Sequence, residues 1–292
     1  MIRLAVRVRR AQADLVLAEL LELAPAGVEE VGIDEETLEY ALYGAPGELP
    51  SLPDLNAVAG GALVEISTSH TPDDWQERWK RFHQPVLIDA PPSSGGPPSV
   101  PAIRVRPPWE PAQAQSASGV EEIIIDPGQA FGTGGHATTR LCLELLLELA
   151  ALTSRRGPLI DVGTGSGVLA IAAARLGFAP VLGLDHERES VAAARANAVV
   201  NHVGIDVRHF DLRNDDLPPF DPAERPVVLA NLLQPLLMEL ARRLSRPPEH
   251  LIAGGLLVAE VDQVVLAFRE RLGVRERERR HRGEWAAVWL TP

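Results

Sequence analysis

The sequence predicts an α/β protein in which a doubly wound parallel sheet follows a small α+β unit. Three observations carry this. An apolar strand through Ile160-Asp161-Val162 runs into Gly163-Thr164-Gly165-Ser166-Gly167 and opens a helix at Val168. A second apolar strand, Val181 to Leu184, again ends on a carboxylate, Asp185. Ahead of both, residues 2–68 alternate strand and helix patterns in the order β-α-β-β-α-β. The glycines permit positive φ and let the backbone approach a ligand lying over the carboxyl ends of the strands.

Taken in order, residues 2–8 alternate as a strand, and 11–24 place Ala13, Val16, Leu20 and Leu23 at helical spacing. Strands are expected around 27–33 and 37–43, a brief helix in 50–59 and a last strand over 62–68. This ferredoxin-like unit, 1–68, holds no glycine loop, no histidine and no facing pair of acids, which suits a substrate-docking domain. Thr71-Pro72-Asp73-Asp74 starts a helix with a Thr cap, Pro at its first position and acids in its first turn. Trp75, Trp79 and Phe82 share one face of it, as a packing stripe or a stacking surface for a ligand. Residues 90–119, rich in Pro, Ser, Gly and Ala, read as a surface loop around one strand, 102–106. The division expected is therefore a docking domain at 1–68, a linker helix and Pro-rich segment at 69–119, and the main domain at 120–292.

The segment from Asp126 to Thr139 carries Gly128, Gly132, Gly134 and Gly135 around a single aromatic, Phe131, just before a helix expected over 140–149. Such a loop folds over a small molecule, with Phe131 and Thr133 as substrate-loop candidates. Thr138 and Thr139 either cap the helix or offer hydroxyls to a ligand, and His136 is a loop histidine.

Composition narrows the function classes. A net charge of −12 argues against a protein that grips nucleic acid through its phosphates. The arginines from Arg275 to Arg282 alternate with Glu276 and Glu278, as on one solvated strand. The only cysteine, Cys142, leaves no internal disulfide and no cysteine zinc site; no metal is expected. No apolar run is long enough for a membrane span, and the opening residues lack an apolar signal core. A cytoplasmic protein without membrane or direct nucleic-acid partners is expected.

Gly165-Ser166-Gly167-Val168-Leu169-Ala170 satisfies the dinucleotide string G-x-G-x-x-A, so a nicotinamide oxidoreductase stays open. Charge separates the readings. Asp161, two residues before the first glycine, would repel a pyrophosphate as a fixed negative charge and suit a ligand bearing an ammonium and a sulfonium. That ligand is S-adenosyl-L-methionine. Asp185 is placed for ribose hydroxyls with either cofactor.

The chain resembles the methyltransferases of ribosomal protein eleven of the large subunit, the PrmA type. The resemblance rests on Asp126-Pro127-Gly128, Ala130-Phe131-Gly132-Thr133-Gly134, His136, Thr138-Thr139, Asp161 to Gly167, Gly183-Leu184-Asp185 and Val228 to Leu233. Trp75, Arg78-Trp79-Lys80, Pro85, Pro107-Pro108-Trp109 and Glu284-Trp285 extend it over nearly the whole chain. It implies a class I S-adenosylmethionine-dependent methyltransferase sheet and N-methylation of lysine ε-amines or the terminal α-amine of that ribosomal protein. It also implies cofactor contacts at Thr139, Gly163, Asp185 and Asn231, which join Asp161 and Gly165 from the turn itself. The catalytic assignment stays unknown, because an activated methyl donor asks mainly for positioning and the sequence shows no acid–base pair. Two stretches depart from the family pattern, 232–235 and 258–263, and leave another protein or a small amine open as acceptor.

Overall fold

The protein is described from a computed structural model covering residues 2–13, 16–17, 20, 28–32, 34, 36–44, 49–50, 52–70, 83–92, 100–112, 119–127, 134–154, 156–218 and 225–292. It divides into two compact units, Met1–Phe82 and His83–Pro292. The expected helix from Thr71 with its Trp75–Phe82 stripe lies outside the described residues, as do Phe131 and Thr133.

The first unit is an antiparallel sheet of β1 (Ile2–Arg9), β2 (Glu29–Gly32), β3 (Thr37–Gly44) and β4 (Leu63–His70), in the order β2-β3-β1-β4. Alternation puts Leu4, Val6, Val8, Leu38 and Tyr40 on one face. That face packs on Ala13, Val16 and Leu20 and on Leu55 and Ala59 of helix α1 (Leu52–Ala59). The opposite face carries the ion pairs Arg3–Glu39, Arg7–Glu39 and Arg7–Glu65.

The second unit is built on seven strands in the order β10-β9-β8-β11-β12-β14-β13. They are β8 (Leu159–Val162), β9 (Val181–Asp185), β10 (Asp206–His209), β11 (Val227–Asn231), β12 (His250–Leu257), β13 (Arg275–Arg282) and β14 (Trp285–Thr291). The first five in that order run parallel, and β14 and β13 close the sheet antiparallel. β8 is buried along its whole length, as a strand covered on both faces must be. The chain passes from β8 outward to β9 and β10, then returns to β11 on the other side of β8. The carboxyl ends of β8 and β11 are thus the switch point where such sheets bind ligands.

Helices α2 (Ala137–Leu152), α3 (Val168–Arg175), α4 (Arg188–Val200), α5 (Gln234–Arg243) and α6 (Val261–Leu272) follow their strands or loops. α2 buries leucines on nearly every side because it lies between two sheets. A second, three-stranded sheet, β5 (Val86–Ile88), β6 (Ala102–Arg106) and β7 (Val120–Ile124), contributes Ile88, Ile103, Val105 and Ile123 to the same core. The strand expected at 102–106 within the Pro-rich stretch is β6, and it supplies core, while residues 93–99 and 113–118 of that stretch lie outside the described residues. β5 is too short to show periodicity, and the partner of β6 stands beyond the loop, in β7. β13 is the solvated strand anticipated, with Arg280 and Arg282 paired to Glu144 of α2 and Arg279 to Asp262 of α6. These charges also blunt an exposed sheet edge.

Candidate functional site

At the switch point the turn Gly163–Gly167 is held by its own amides. Gly163 and Thr164 N–H both donate to the Leu184 carbonyl, at 2.8 and 3.0 Å. Gly165 N–H donates to Asp185 Oδ2 at 2.8 Å, and Gly167 N–H to the Thr164 carbonyl at 2.8 Å. Gly163, Gly165 and Gly167 all have positive φ, which is why glycine occupies them. At Gly163 space matters too: a Cβ would meet Leu232 Cδ2 at 2.3 Å.

Two carboxylates face this turn. Asp161, fully buried on β8, accepts from Thr164 Oγ1 at 2.7 Å through Oδ2, while its buried Oδ1 has no partner among the described residues. Burial pushes its carboxyl up to about 7, and the Asp185 charge adds to that rise. Burial thus opposes the negative charge that the sequence reading places here, and a cation beside the carboxyl would restore it. Asp185, at the end of β9, accepts from Gly165 N–H and, at 3.0 Å, from Glu187 N–H ahead of α4. Burial raises its pKa and these N–H bonds oppose the rise.

Across the switch point, Asn231 ends β11. Its Nδ2 lies 3.4 Å from Thr139 Oγ1 and its buried Oδ1 is unpartnered among the described residues. Thr138 and Thr139 are inside α2 and do not cap it. His136 does, its Nδ1 accepting from Thr138 N–H at 3.3 Å, because the helix starts three residues before the expected Arg140. The His136 ring meets Trp285 edge to face, with centroids 5.0 Å apart, and burial lowers its pKa. The fold therefore brings Thr139, Asp161, Gly163, Gly165, Asp185 and Asn231 to one edge of the sheet.

Sequence reasoning missed four contributors. Phe210, Asp211 and Leu212 come directly after β10 and, with Gly163, Asp185 and Leu232, line a cavity of about 130 Å³. β10 is short and largely exposed, so no pattern marked these three residues. Gly254 lies opposite Asn231, and a Cβ there would meet Cys142 Sγ at 2.4 Å and Asn231 Oδ1 at 3.1 Å. The signal was legible: glycine inside a strand marks a close approach.

The comparisons with known proteins agree with this architecture. The family model described as "Ribosomal protein L11 methyltransferase (PrmA)" matches residues 54–291. A ribosomal protein L11 methyltransferase of Syntrophotalea carbinolica is 34% identical over 94% of this chain and 92% of its own length. One from Heliobacterium modesticaldum is 35% identical over 74% of this chain, and the match spans 63% of that relative's length. Among solved structures, a ribosomal protein L11 methylase of Lactobacillus delbrueckii subsp. bulgaricus superposes with a TM-score of 0.55 at 31% identity. That superposition covers 65% of this chain and 94% of the other. A family model spanning most of the chain, together with a relative matched along almost its full length, places this protein in the ribosomal protein L11 methyltransferase (PrmA) family.

Proposed function

We propose that the protein is an S-adenosyl-L-methionine-dependent N-methyltransferase acting on amines of ribosomal protein L11. One observation carries the choice of cofactor. The N–H groups of Gly163, Thr164, Gly165 and Gly167 are all engaged within the protein, and two carboxylates stand beside them. A pyrophosphate needs free backbone N–H groups and no nearby anion. A ligand with an ammonium group and a diol needs acceptors, and Asp161 Oδ1 is a buried acceptor without a partner among the described residues. The nicotinamide alternative is therefore disfavoured.

In this reading Asp161 Oδ1 takes the ammonium, Asp185 takes the ribose hydroxyls on its remaining lone pairs, and the cavity walled by Phe210 and Leu212 takes the purine. The bound cofactor supplies an electrophilic methyl on a sulfonium. The chain's task is to hold a neutral amine in line with it. Thr139 and Asn231 face each other where that amine would enter, and Asn231 Oδ1 is free to accept a hydrogen bond from one of its N–H groups. Residues 1–68 serve as the docking domain. In support, they have a core of their own, and the residues proposed for cofactor and amine all fall in the second unit.

Labelled S-adenosyl-L-methionine incubated with purified ribosomal protein L11, followed by peptide mass spectrometry, tests the proposal. Methyl groups on lysine ε-amines or the terminal α-amine are expected. The departing stretches 232–235 and 258–263 are tied by a 2.6 Å hydrogen bond from Gln234 to Gln263. They are the first place to look if label instead falls on another protein or a small amine, a result that would overturn the acceptor and spare the cofactor.

A further inference from the structure

Two buried asparagines, one on α4 and one capping its C-terminus, fall outside every role assigned above. Asn197 and Asn201 are 3% and 1% exposed, one helical turn apart on the face turned toward the sheet. Asn201 binds the end of β7: its Oδ1 accepts from Ile124 N–H at 2.8 Å and its Nδ2 donates to the Ile124 carbonyl at 2.6 Å. Asn197 does something different. Its Oδ1 accepts from Asp126 N–H at 3.1 Å, while its Nδ2 donates to the Ser166 carbonyl at 2.9 Å.

Ser166 belongs to the glycine-rich turn. The Ser166–Gly167 peptide is gripped at both ends, its carbonyl by Asn197 and its N–H by the Thr164 carbonyl. Against it lies Ala194, one turn before Asn197: a Cβ on Gly167 would meet the Ala194 Cβ at 3.0 Å. One face of α4 thus fixes the turn by close contact and by a single amide. Only a side chain that donates and accepts at once can join a backbone N–H to a backbone carbonyl, and in this buried place the carboxamide of Asn does so without charge.

We propose that Asn197 is a positioning residue for the cofactor turn, holding the Ser166 carbonyl in register with the strand end at Asp126. The inference rests on the cofactor reading above. Asn201, the C-cap of the same helix, is the internal control: it is equally buried and bonds to β7 and to the Asn197 carbonyl, but not to the turn.

The test uses the full chain, with S-adenosylhomocysteine titrated calorimetrically and Tm measured beside it. Asn197→Leu keeps the branched shape, with somewhat more bulk, and removes both bonds; its Kd is expected to rise about tenfold, the scale of one lost buried hydrogen bond. Asn201→Leu is expected to lower Tm comparably with Kd unchanged. Asn197→Asp adds a second readout. Ionised, it still accepts from Asp126 N–H but repels the Ser166 carbonyl; protonated, it restores both bonds. The ratio of its Kd to that of the unaltered protein at each pH, which cancels the titration of Asp161 and Asp185, should fall toward one as pH is lowered. An Asn197→Leu protein that binds normally overturns the inference, as does an Asn201→Leu protein that loses affinity equally. Should Asn197→Leu not fold, a pH-independent ratio for Asn197→Asp overturns it. If the unaltered protein binds no S-adenosylhomocysteine, the cofactor reading itself fails and this inference goes with it.

Discussion

Thr164 and Asp161 form a buried pair in which the hydroxyl donates to one carboxylate oxygen at 2.7 Å and leaves the other without a partner among the described residues. The unfolded chain ionises this carboxyl near its ordinary value of 3.8, whereas burial in the fold raises it to about 7. Between those values the folded state binds the proton that the unfolded state has released, so its contribution to stability falls as pH rises through that window and is level above it. Asp161→Asn should therefore stabilise the unliganded protein at pH 8 by on the order of 2–4 kcal/mol. Little change is expected at pH 4. Denaturant titrations at the two pH values check this.

The same carboxyl must be ionised to receive an ammonium. Affinity for S-adenosylhomocysteine should rise with pH from 6 to 8 and flatten above the Asp161 titration near 7. Asp161→Asn should bind more weakly and lose the slope. Calorimetry across that range measures both, and an identical slope in the variant would remove Asp161 from the site.

Asp185→Ala removes the acceptor proposed for the ribose and frees the N–H groups of Gly165 and Glu187. Affinity for S-adenosylhomocysteine should drop by about 1.5–3 kcal/mol, the range for bonds to a charged group. Circular dichroism establishes that the variant is folded, and unchanged affinity would sink the assignment.

Gly163→Ala drives a Cβ into Leu232 Cδ2 and imposes positive φ on a side-chain-bearing residue. We expect a loss of stability of about 1–2 kcal/mol. Adding Leu232→Ala should relieve the contact but not the backbone term. A double-mutant cycle on Tm and Kd separates the two, and full recovery in the double variant would show that sterics alone select this glycine.

Residues 83–292, expressed without the first unit, should still bind S-adenosylhomocysteine and lose methylation of intact ribosomal protein L11. Full-rate methylation by that fragment would end the docking role of residues 1–68.

What the sequence by itself determined is what local order encodes. Strand, glycine turn, helix and second acid-ended strand succeed one another within residues 159–185, so periodicity and turn chemistry were enough to read the cofactor half and to place Asp161 and Asp185. In the first unit β1 and β3 were legible for the same reason, since both alternate apolar and polar residues over at least four positions. Tertiary structure decided whatever depends on distant partners. The three-stranded sheet appears only when β5 and β7 flank β6, and Asn231 meets Thr139 only because β11 returns beside β8. The charge state of Asp161 is set by burial on both faces of the sheet and by the proximity of Asp185. Asn197 looked like an ordinary polar residue in a helix, because its meaning lies in Asp126 and Ser166, which approach each other only across the folded α4. A sequence states which groups can donate, accept or ionise; desolvation and long-range contact, which exist only after folding, decide which of them do.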